Sequence, residues 1–503
     1  MMRHRGRILG WLLWAVLAVW LPTAALAQTF SSGSTGAQGA FPPTGADAPP
    51  TGTTQYSLSL TDGKLWYVPG WTLVTLPNVP AGGFRDGVLN FTTFSVPSGV
   101  TMYFYKNAAN TPVTLLATGS VSISGTIDVS GAAAPAWGRP GTGGPGGFDG
   151  GAGGDGLSMT SGGVGLGPGG GGTGTVSGGA GGGGSYGSTG VAGANSYCSG
   201  CTNGAGGAMY GSGFLRPIIG GSGGGGSAGA IGNVAGGGGG GGGGAILIVS
   251  SSSITLNSSA IIRANGGSGY YVNWSSGGGG GGAGGAIRLI APTITGTGSL
   301  YAQGGTANYG GGTGGNGRIR LEATTLSFTG SSTPLTVTSL PQPVFPSTGQ
   351  PALAVTSIGG MSVPANPVGS VLAAPDVLLP VGTGSSVAVT VTASNVPIGT
   401  TVQLTAAPQS GNRTTASCAL LDGSQASSSC TASITISLTQ TNILIASALF
   451  PLVASAGDGP IYAEGEEVKW VRVASTLGGP STVTYITATG KEIPATALAS
   501  RAP

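Results

Sequence analysis

The sequence predicts an all-β protein with a parallel β-helix-like body that carries glycine-rich insertions, followed by a β-sandwich. Three observations support this prediction. About 74 of the 105 glycines lie between Gly131 and Gly317, strand-like motifs recur around that tract, and the composition changes to short alternating strands from about Ala352. Glycine runs provide no side chains for a core or for catalysis, and ordering them costs much conformational entropy. The tract therefore indicates a structural or surface role.

Residues 1–27 are typical of a secretory signal. A basic start precedes an apolar run, 8–20, that is too short to span a bilayer comfortably, and Ala25-Leu26-Ala27 is a small-x-small cleavage site. A retained membrane anchor is the alternative. We expect a secreted chain, extracellular or at the cell surface, with no membrane span after cleavage. Residues 28–54, rich in Ser, Gly, Pro and Thr, are predicted to be a flexible lead-in.

Charge and histidine content exclude several function classes. The chain has 17 basic and 14 acidic residues, and three arginines leave with the signal, so the mature protein has 14 of each and is formally neutral. No basic face for nucleic acid is expected. The only histidine is His4, inside the signal. The mature protein therefore lacks imidazole for catalytic triads, metal ligation or acid–base chemistry.

Residues 55–333 are predicted to form the β-helix-like domain, because one pattern recurs along them. The motif Ile123–Gly131 returns at Ile254–Gly266 and Ile294–Gly304, and feeder strands precede the later copies. Overlaying the copies predicts inward files of like residues, as in stacked rungs. These files are Ile246, Ile287, Ile319; Ile248, Leu289, Leu321; Ile127, Ile262, Leu300; and Val129, Ala264, Ala302. The predicted outward rows are Leu247, Arg288, Arg320 and Asp128, Arg263, Tyr301. An antiparallel sandwich of the same strands is the alternative.

The glycine-rich tract 131–317 has two candidate states. It forms either disordered loops or side-by-side polyglycine helices whose backbone groups bond to close neighbours. Apolar residues such as Val164, Leu166 and Val176 interrupt the runs and favour order. Aromatic residues in or beside the runs are predicted to be pins that hold the tract to the body, or else contacts for carbohydrate. They are Trp137, Tyr186, Tyr210, Tyr270, Tyr271, Trp274 and Tyr309.

Residues 334–351 are predicted to be a linker, and 352–503 an immunoglobulin-like β-sandwich, because short alternating strands recur at regular spacing. Cys418 and Cys430 are expected to pair as a clasp on one hairpin, since they are too close in sequence for the usual bridge between sheets. Cys198 and Cys201 are expected to staple a loop. A redox or zinc role for this CxxC is the alternative, although its flanks are loop-like and further ligands are missing nearby.

The sequence predicts no catalytic residue, no cofactor and no metal site beyond one candidate calcium ligand, Asp155. Gly150–Ser158 matches a single nine-residue calcium repeat, which normally needs tandem copies. Gly165–Gly170 fits a dinucleotide fingerprint only by its letters, because no strand and helix flank it. Carboxylates for a polysaccharide-cleaving enzyme are few. The candidates are Asp149, Asp155, Glu464, Glu466 and Glu467.

Three stretches, Phe94–Val100, Gly125–Gly131 and Ile398–Val402, make the chain similar to secreted, glycine-rich bacterial surface proteins. In those proteins a β-helix segment of the pectate-lyase or filamentous-adhesin kind precedes an immunoglobulin-like domain. The resemblance implies an exported, non-enzymatic, structural or adhesin-type surface or matrix protein. Extracellular carbohydrate or other surface proteins are the expected partners. A carbohydrate-active β-helix enzyme, lyase or hydrolase, is the alternative, and ice binding is disfavoured by the mixed chemistry of the row Asp128, Arg263, Tyr301.

Overall fold

The computed structural model describes most of the chain after the predicted signal. The described residues are 30–136, 138–175, 178–195, 200–211, 213–215, 218–230, 232–272, 277–342, 344, 351–364, 367–371, 374–451, 461–463, 466–475, 481–494 and 500–501. Strands dominate these ranges, and the one helical element is a 3₁₀ turn at Gly45–Asp47. The all-β prediction is therefore confirmed. No helix in the described ranges is long and apolar enough to cross a membrane. The predicted signal lies outside them.

The described residues up to Val344 contain eighteen strands. They are β1 (Ala40–Phe41), β2 (Gln55–Ser59), β3 (Lys64–Val68), β4 (Thr72–Thr75), β5 (Val88–Phe91), β6 (Thr93–Val96), β7 (Thr101–Tyr105), β8 (Val113–Ala117), β9 (Val121–Ile123), β10 (Thr126–Asp128), β11 (Ala245–Ser250), β12 (Ser253–Leu256), β13 (Ile261–Arg263), β14 (Ala286–Gly296), β15 (Ser299–Tyr301), β16 (Arg318–Phe328), β17 (Ser331–Thr333) and β18 (Val337–Ser339).

These strands form two sheets. The first sheet has ten strands and is parallel throughout, in the order β1-β6-β9-β12-β14-β11-β8-β5, with β16 and β18 continuing from β14. The second sheet, β17-β15-β13-β10-β7-β2-β3-β4, is parallel except for its last three strands, which form an antiparallel meander. The antiparallel alternative is thus wrong for the repeated segments.

Three of the four predicted files of apolar residues are confirmed by the strand register, and the residues of the fourth, Val129, Ala264 and Ala302, are buried in the same cluster. Ile246 pairs with Ile287, and Ile287 pairs with Ile319. Ile248, Leu289 and Leu321 align in the same strands, while Ile127, Ile262 and Leu300 align in the second sheet. All nine side chains belong to one buried cluster between the sheets. A one-residue slip would turn every one of them to the other face, so burial of this cluster specifies the register.

Both segments predicted as flexible connections contribute strands to the first sheet. In the lead-in, β1 pairs with β6, and Phe41 is buried against Phe94 with ring centroids 4.8 Å apart. In the linker, β18 pairs with β16. The aromatic side chain of Phe41 supplies the burial that holds an otherwise Ser- and Gly-rich segment in place.

The second part of the chain is antiparallel. Its strands are β19 (Ala352–Ile358), β20 (Met361–Ser362), β21 (Ser386–Ser394), β22 (Thr401–Pro408), β23 (Thr414–Ala419), β24 (Asp422–Ser424), β25 (Ser427–Thr435), β26 (Asn442–Pro451), β27 (Ile461–Ala463), β28 (Glu466–Ala474), β29 (Thr482–Thr487), β30 (Glu492–Pro494) and β31 (Ser500–Arg501). One sheet runs β20-β19-β21-β25-β24. The other runs β23-β22-β26-β28-β27-β31, with β29 and β30 beside β28. Residues of both sheets share one apolar core.

The Cys418–Cys430 disulfide forms, with its Cα atoms 5.8 Å apart, but it is not a hairpin clasp. Cys418 lies on β23, which pairs with β22, whereas Cys430 lies on β25, which pairs with β21 and β24. The bond therefore joins the two sheets. Sequence proximity was misleading because the short segment after β23 crosses from one sheet to the other before β25 begins.

Candidate functional site

The described residues of the glycine-rich tract form hydrogen-bonded, packed segments. We use the name glycine bundle for the hydrogen-bonded segments between Val129 and Gly317 that lie outside the strands. The central run, Gly236–Gly244, is buried along its whole length. Eight of its nine N–H groups and all of its C=O groups bond to other segments, at N···O distances of 2.7–3.0 Å, and not to each other. Disorder is therefore wrong for this run.

The partners of the central run change with a period of three residues. Gly236, Gly239 and Gly242 donate to one antiparallel segment, at the carbonyl oxygens of Gly154, Gly151 and Phe148. The same three glycines accept from Gly138, Gly141 and Gly144. Three residues per turn without internal hydrogen bonds is the geometry of an extended polyproline-type helix, so the run is a polyglycine helix.

The central run has six neighbouring segments, as a hexagonal array of such helices requires. Four of the remaining amides donate to Gly280 and Ala283 in one segment and to Ala132 and Val129 in another, and the Gly237 amide donates to the Ser227 hydroxyl at 2.7 Å. The remaining carbonyls accept from Ser227, Gly224 and Gly221, from Tyr270 and Gly267, and from Ala286. Most buried backbone groups of the run therefore find backbone partners in adjacent segments, and the array needs few side chains to satisfy its polar atoms.

Only glycine fits along the central run of the array. A Cβ placed on Gly239 would overlap the carbonyl oxygen of Gly224, and one on Gly240 would overlap the carbonyl oxygen of Gly267. The helices are therefore closer together than any larger residue allows. This close approach, and not the flexibility of glycine, explains the composition of the tract.

The bundle projects from the parallel sheets. The central run enters β11 at Ala245, and at about 3.1 Å per residue its other end lies roughly 25 Å away. At that distal end a turn at Gly232 and Asn233 lies next to the turn that follows Asp155, as the approach of Gly156 to the backbone of Asn233 and Val234 shows. The bundle thus holds a group of turns away from the sheets.

The tyrosines of the tract divide into two groups. Tyr186 is fully buried and Tyr210 is partly buried, with ring centroids 5.0 Å apart, and the Tyr210 hydroxyl donates to the Gly220 carbonyl at 2.6 Å. Burial raises the pKa of both hydroxyls. These two side chains are pins. Tyr271 and Tyr309, by contrast, are 39% and 47% exposed at the distal end, with ring centroids 4.4 Å apart. Trp137 and Trp274 lie outside the described residues.

Of the candidate carboxylates, the structure describes the side chains of Asp149 and Asp155, and each has its own separate contacts. Asp149 is buried, and its carboxylate accepts from the Gly143 amide at 2.8 Å, from Lys106 Nζ at 3.3 Å and from the Ser370 hydroxyl. These contacts tie the bundle to the segment that leads into β21. The contacts of the Asp149 carboxylate are therefore structural.

The candidate calcium ligand Asp155 is exposed in a turn. The Ser158 amide donates to its carboxylate at 2.8 Å and lowers its pKa. In the described ranges, no three His, Cys, Asp or Glu side chains are close enough to share a metal ion. Glu466 and Glu467 are the first two residues of β28, but their side chains lie outside the described part of the chain, as does the whole of Glu464. Cys201 is disulfide-bonded, whereas Cys198 lies outside the described residues.

The predicted outward row Leu247, Arg288, Arg320 aligns as expected but is not exposed. Register places Leu247 beside Arg288 and Arg288 beside Arg320, yet all three are buried under a second layer that includes Ile218 and Val344. The expectation that this row faces solvent is wrong. The covering residues come from a bundle loop and from the predicted linker, which share no repeat with the strands.

Two buried arginines in this layer share one carboxylate. Arg288 bonds to both Glu322 oxygens, with Nε–Oε1 and Nη2–Oε2 distances of 2.8 and 3.1 Å, and Arg320 Nε contacts the same Oε1 at 2.8 Å. Arg320 also lies over the Phe214 ring, 4.6 Å from its centroid. Burial lowers the pKa of Arg288, and the bond to Glu322 opposes that shift. The network joins β14 and β16 to the layer above them.

The second predicted row, Asp128, Arg263, Tyr301, does lie on an accessible face. Its register continues in both directions across the whole second sheet. We call the complete set the outward row, and in order it contains Leu73, Trp66, Ser57, Tyr103, Asp128, Arg263, Tyr301 and Thr333; within it, Ser57 is fully buried. The first four residues lie outside the copied motif, so the comparison of copies did not detect them. The alternation of Thr101, Tyr103 and Tyr105 along β7 could have predicted that these side chains share one face of the sheet.

The antiparallel part of the chain contacts the bundle directly. Gly411 donates its amide to the Gly162 carbonyl at 2.9 Å, and Arg413 Nη2 donates to the Gly165 carbonyl at 2.7 Å. Phe148 and Leu166 of the bundle share an apolar cluster with Ile443. Beside this contact, a cleft of about 1620 Å³ separates the first sheet, at Leu116 and Leu247, from residues 436–444.

Comparisons with protein-family models, with curated proteins and with solved structures find no match. The geometry of the chain itself therefore carries the functional argument.

Proposed function

We propose that this chain is an exported, non-enzymatic surface or extracellular matrix protein of adhesin type. In this proposal a parallel β-helix forms the body, the glycine bundle projects from it, and an immunoglobulin-like sandwich attaches or spaces the molecule. The parallel strands that recur in register support the first assignment. The two antiparallel sheets around a shared core support the second.

The ordered glycine bundle is the observation that carries the proposal. A buried array of backbone has no side chains for binding or catalysis in its interior, but it is rigid and holds turns about 25 Å from the sheets. A rigid projection of this kind is suited to presenting its distal turns at a distance from the sheets. The candidate acids Asp149 and Asp155 serve structural bonds instead of facing each other. The inter-sheet disulfide is compatible with an oxidising, extracytoplasmic compartment.

Location and turnover together test this function. We expect the full chain in the medium or at the cell surface of its source organism, where added protease and antibody reach it, and a variant lacking residues 1–27 inside the cell as the matched control. The purified protein should leave pectin, alginate and similar polymers uncleaved. Wild-type chain retained in the cytoplasm, or polymer cleavage that Asp149→Asn or Asp155→Asn abolishes, would overturn the proposal.

A further inference from the structure

An exposed aromatic patch lies at one end of the outward row. It consists of Trp66, Trp71, Tyr103 and Tyr105. Trp71 is 62% exposed and lies in the turn before β4 with a positive φ of 53°, while Tyr103 and Tyr105 are 39% and 51% exposed. Trp66 meets Tyr105 edge-to-face at 5.9 Å. Large aromatic side chains clustered on a solvent-exposed face commonly mark a binding surface.

The patch continues into a straight polar row. Beyond Tyr103, the outward row presents Asp128, Arg263, Tyr301 and Thr333, one from each successive strand. Strands lie about 4.8 Å apart, so the eight-strand row extends roughly 34 Å perpendicular to them. Next to it, the hydroxyls of Ser299 and Ser331 lie 2.8 Å apart. The face therefore offers rings at one end and hydrogen-bonding groups along the rest.

The charges of this face balance. Asp128 is the register neighbour of Arg263, and Lys64 pairs with Asp62 at 2.8 Å. A face without net charge has no electrostatic preference for an anionic polymer or for nucleic acid. It also differs from a typical protein interface, whose centre is apolar and compact. A narrow, straight, neutral line suits a linear ligand.

We propose that the outward row and the aromatic patch bind an uncharged, extended polysaccharide. Such a chain advances by about one strand spacing per sugar unit, so successive rings can follow successive strands. Tyr103, Tyr105 and Trp66 stack on the apolar faces of sugar rings, and Asp128, Arg263 and Tyr301 hydrogen-bond to their hydroxyls. This inference adds a ligand class to the proposed function. It rests on that function in one respect, because only an exported chain would meet such polymers.

Retention on neutral polymers tests the binding face. The full mature chain is applied to affinity gels and pull-downs with cellulose, chitin, mannan, dextran and β-1,3-glucan. We expect retention on at least one polymer, at least tenfold weaker for Tyr103→Ser/Tyr105→Ser and for Asp128→Asn/Arg263→Gln. Tyr103→Phe/Tyr105→Phe should keep the binding because the rings remain. The distal variant Tyr271→Ala/Tyr309→Ala is the matched control and should bind like the wild type.

Several results would overturn the inference. The first is that no neutral polymer retains the chain, and the second is that the wild type and both weakened variants are retained equally. The third is a preference for anionic polymers that salt abolishes. The fourth is sedimentation showing that Tyr103 and Tyr105 mediate self-association instead. Melting curves of each variant separate lost binding from lost folding, and the Asp128→Asn/Arg263→Gln variant keeps the test decisive if the serine variant misfolds. A surface-located, non-hydrolytic chain that binds no glycan would refute this inference alone, leaving the proposed function intact.

Discussion

Replacing Gly240 with alanine should destabilise the glycine bundle by about 3–5 kcal/mol. The added Cβ would overlap the Gly267 carbonyl, and overpacking of this kind costs about 1–3 kcal/mol. The two hydrogen bonds of Gly240, to Gly280 and from Gly224, would weaken as the helices separate, at about 1 kcal/mol each. Urea unfolding monitored by amide exchange or by tyrosine fluorescence measures the change in unfolding free energy.

Gly213 provides a control inside the same tract. A Cβ at this position meets only Arg318 Nη1, at 3.9 Å, and its φ is compatible with alanine. Gly213→Ala should therefore change stability by less than about 1 kcal/mol, with a small gain from a less flexible unfolded chain. If Gly240→Ala were as well tolerated as Gly213→Ala, the close-packed array would be incorrect.

Glu322→Gln should cost about 3–5 kcal/mol, because it leaves Arg288 and Arg320 buried without a counter-charge. Chemical denaturation of the purified protein measures this loss. The exposed pair Arg472–Glu492, with an N–O distance of 2.6 Å, is the matched control. Its variant Glu492→Gln should cost less than about 1 kcal/mol, since solvent screens that pair.

A compensated variant separates charge from packing in this network. Replacing all three residues together, as Arg288→Met/Glu322→Leu/Arg320→Met, removes the buried charges and should recover most of the stability that Glu322→Gln loses. Equal losses for Glu322→Gln and Glu492→Gln would contradict the buried network. A compensated variant less stable than Glu322→Gln would show that the network is held by its individual hydrogen bonds instead of by charge balance.

The inward files were predictable because their chemistry is simple. Residues such as Ile246, Ile287 and Ile319 must be apolar in every copy, so the copied pattern alone predicted both the parallel pairing and the register. The partners of each polyglycine helix were not predictable. Runs of identical residues carry no information on which segment lies beside which, and only the three-dimensional array assigns Gly239 to Gly151.

The errors have a common physical cause. Burial of Arg288 and Arg320 depends on Ile218, Val344 and Phe214, which come from outside the repeat, so a comparison of copies could not detect the covering layer. The aromatic patch was missed for the same reason, since Tyr103 lies in a rung before the first clear copy of the motif. Repeats report what is common to all copies, whereas the aromatic patch lies where one strand differs from the copies.

Amide hydrogen exchange of Gly236–Gly244 tests the central claim most directly, because the claim is that these glycines form an ordered array whose backbone groups are bonded to six neighbouring segments. The account predicts exchange as slow as that of the parallel strand β11, which follows the run without a break. Exchange at the rate of an unstructured glycine peptide, with β11 still protected, would contradict it.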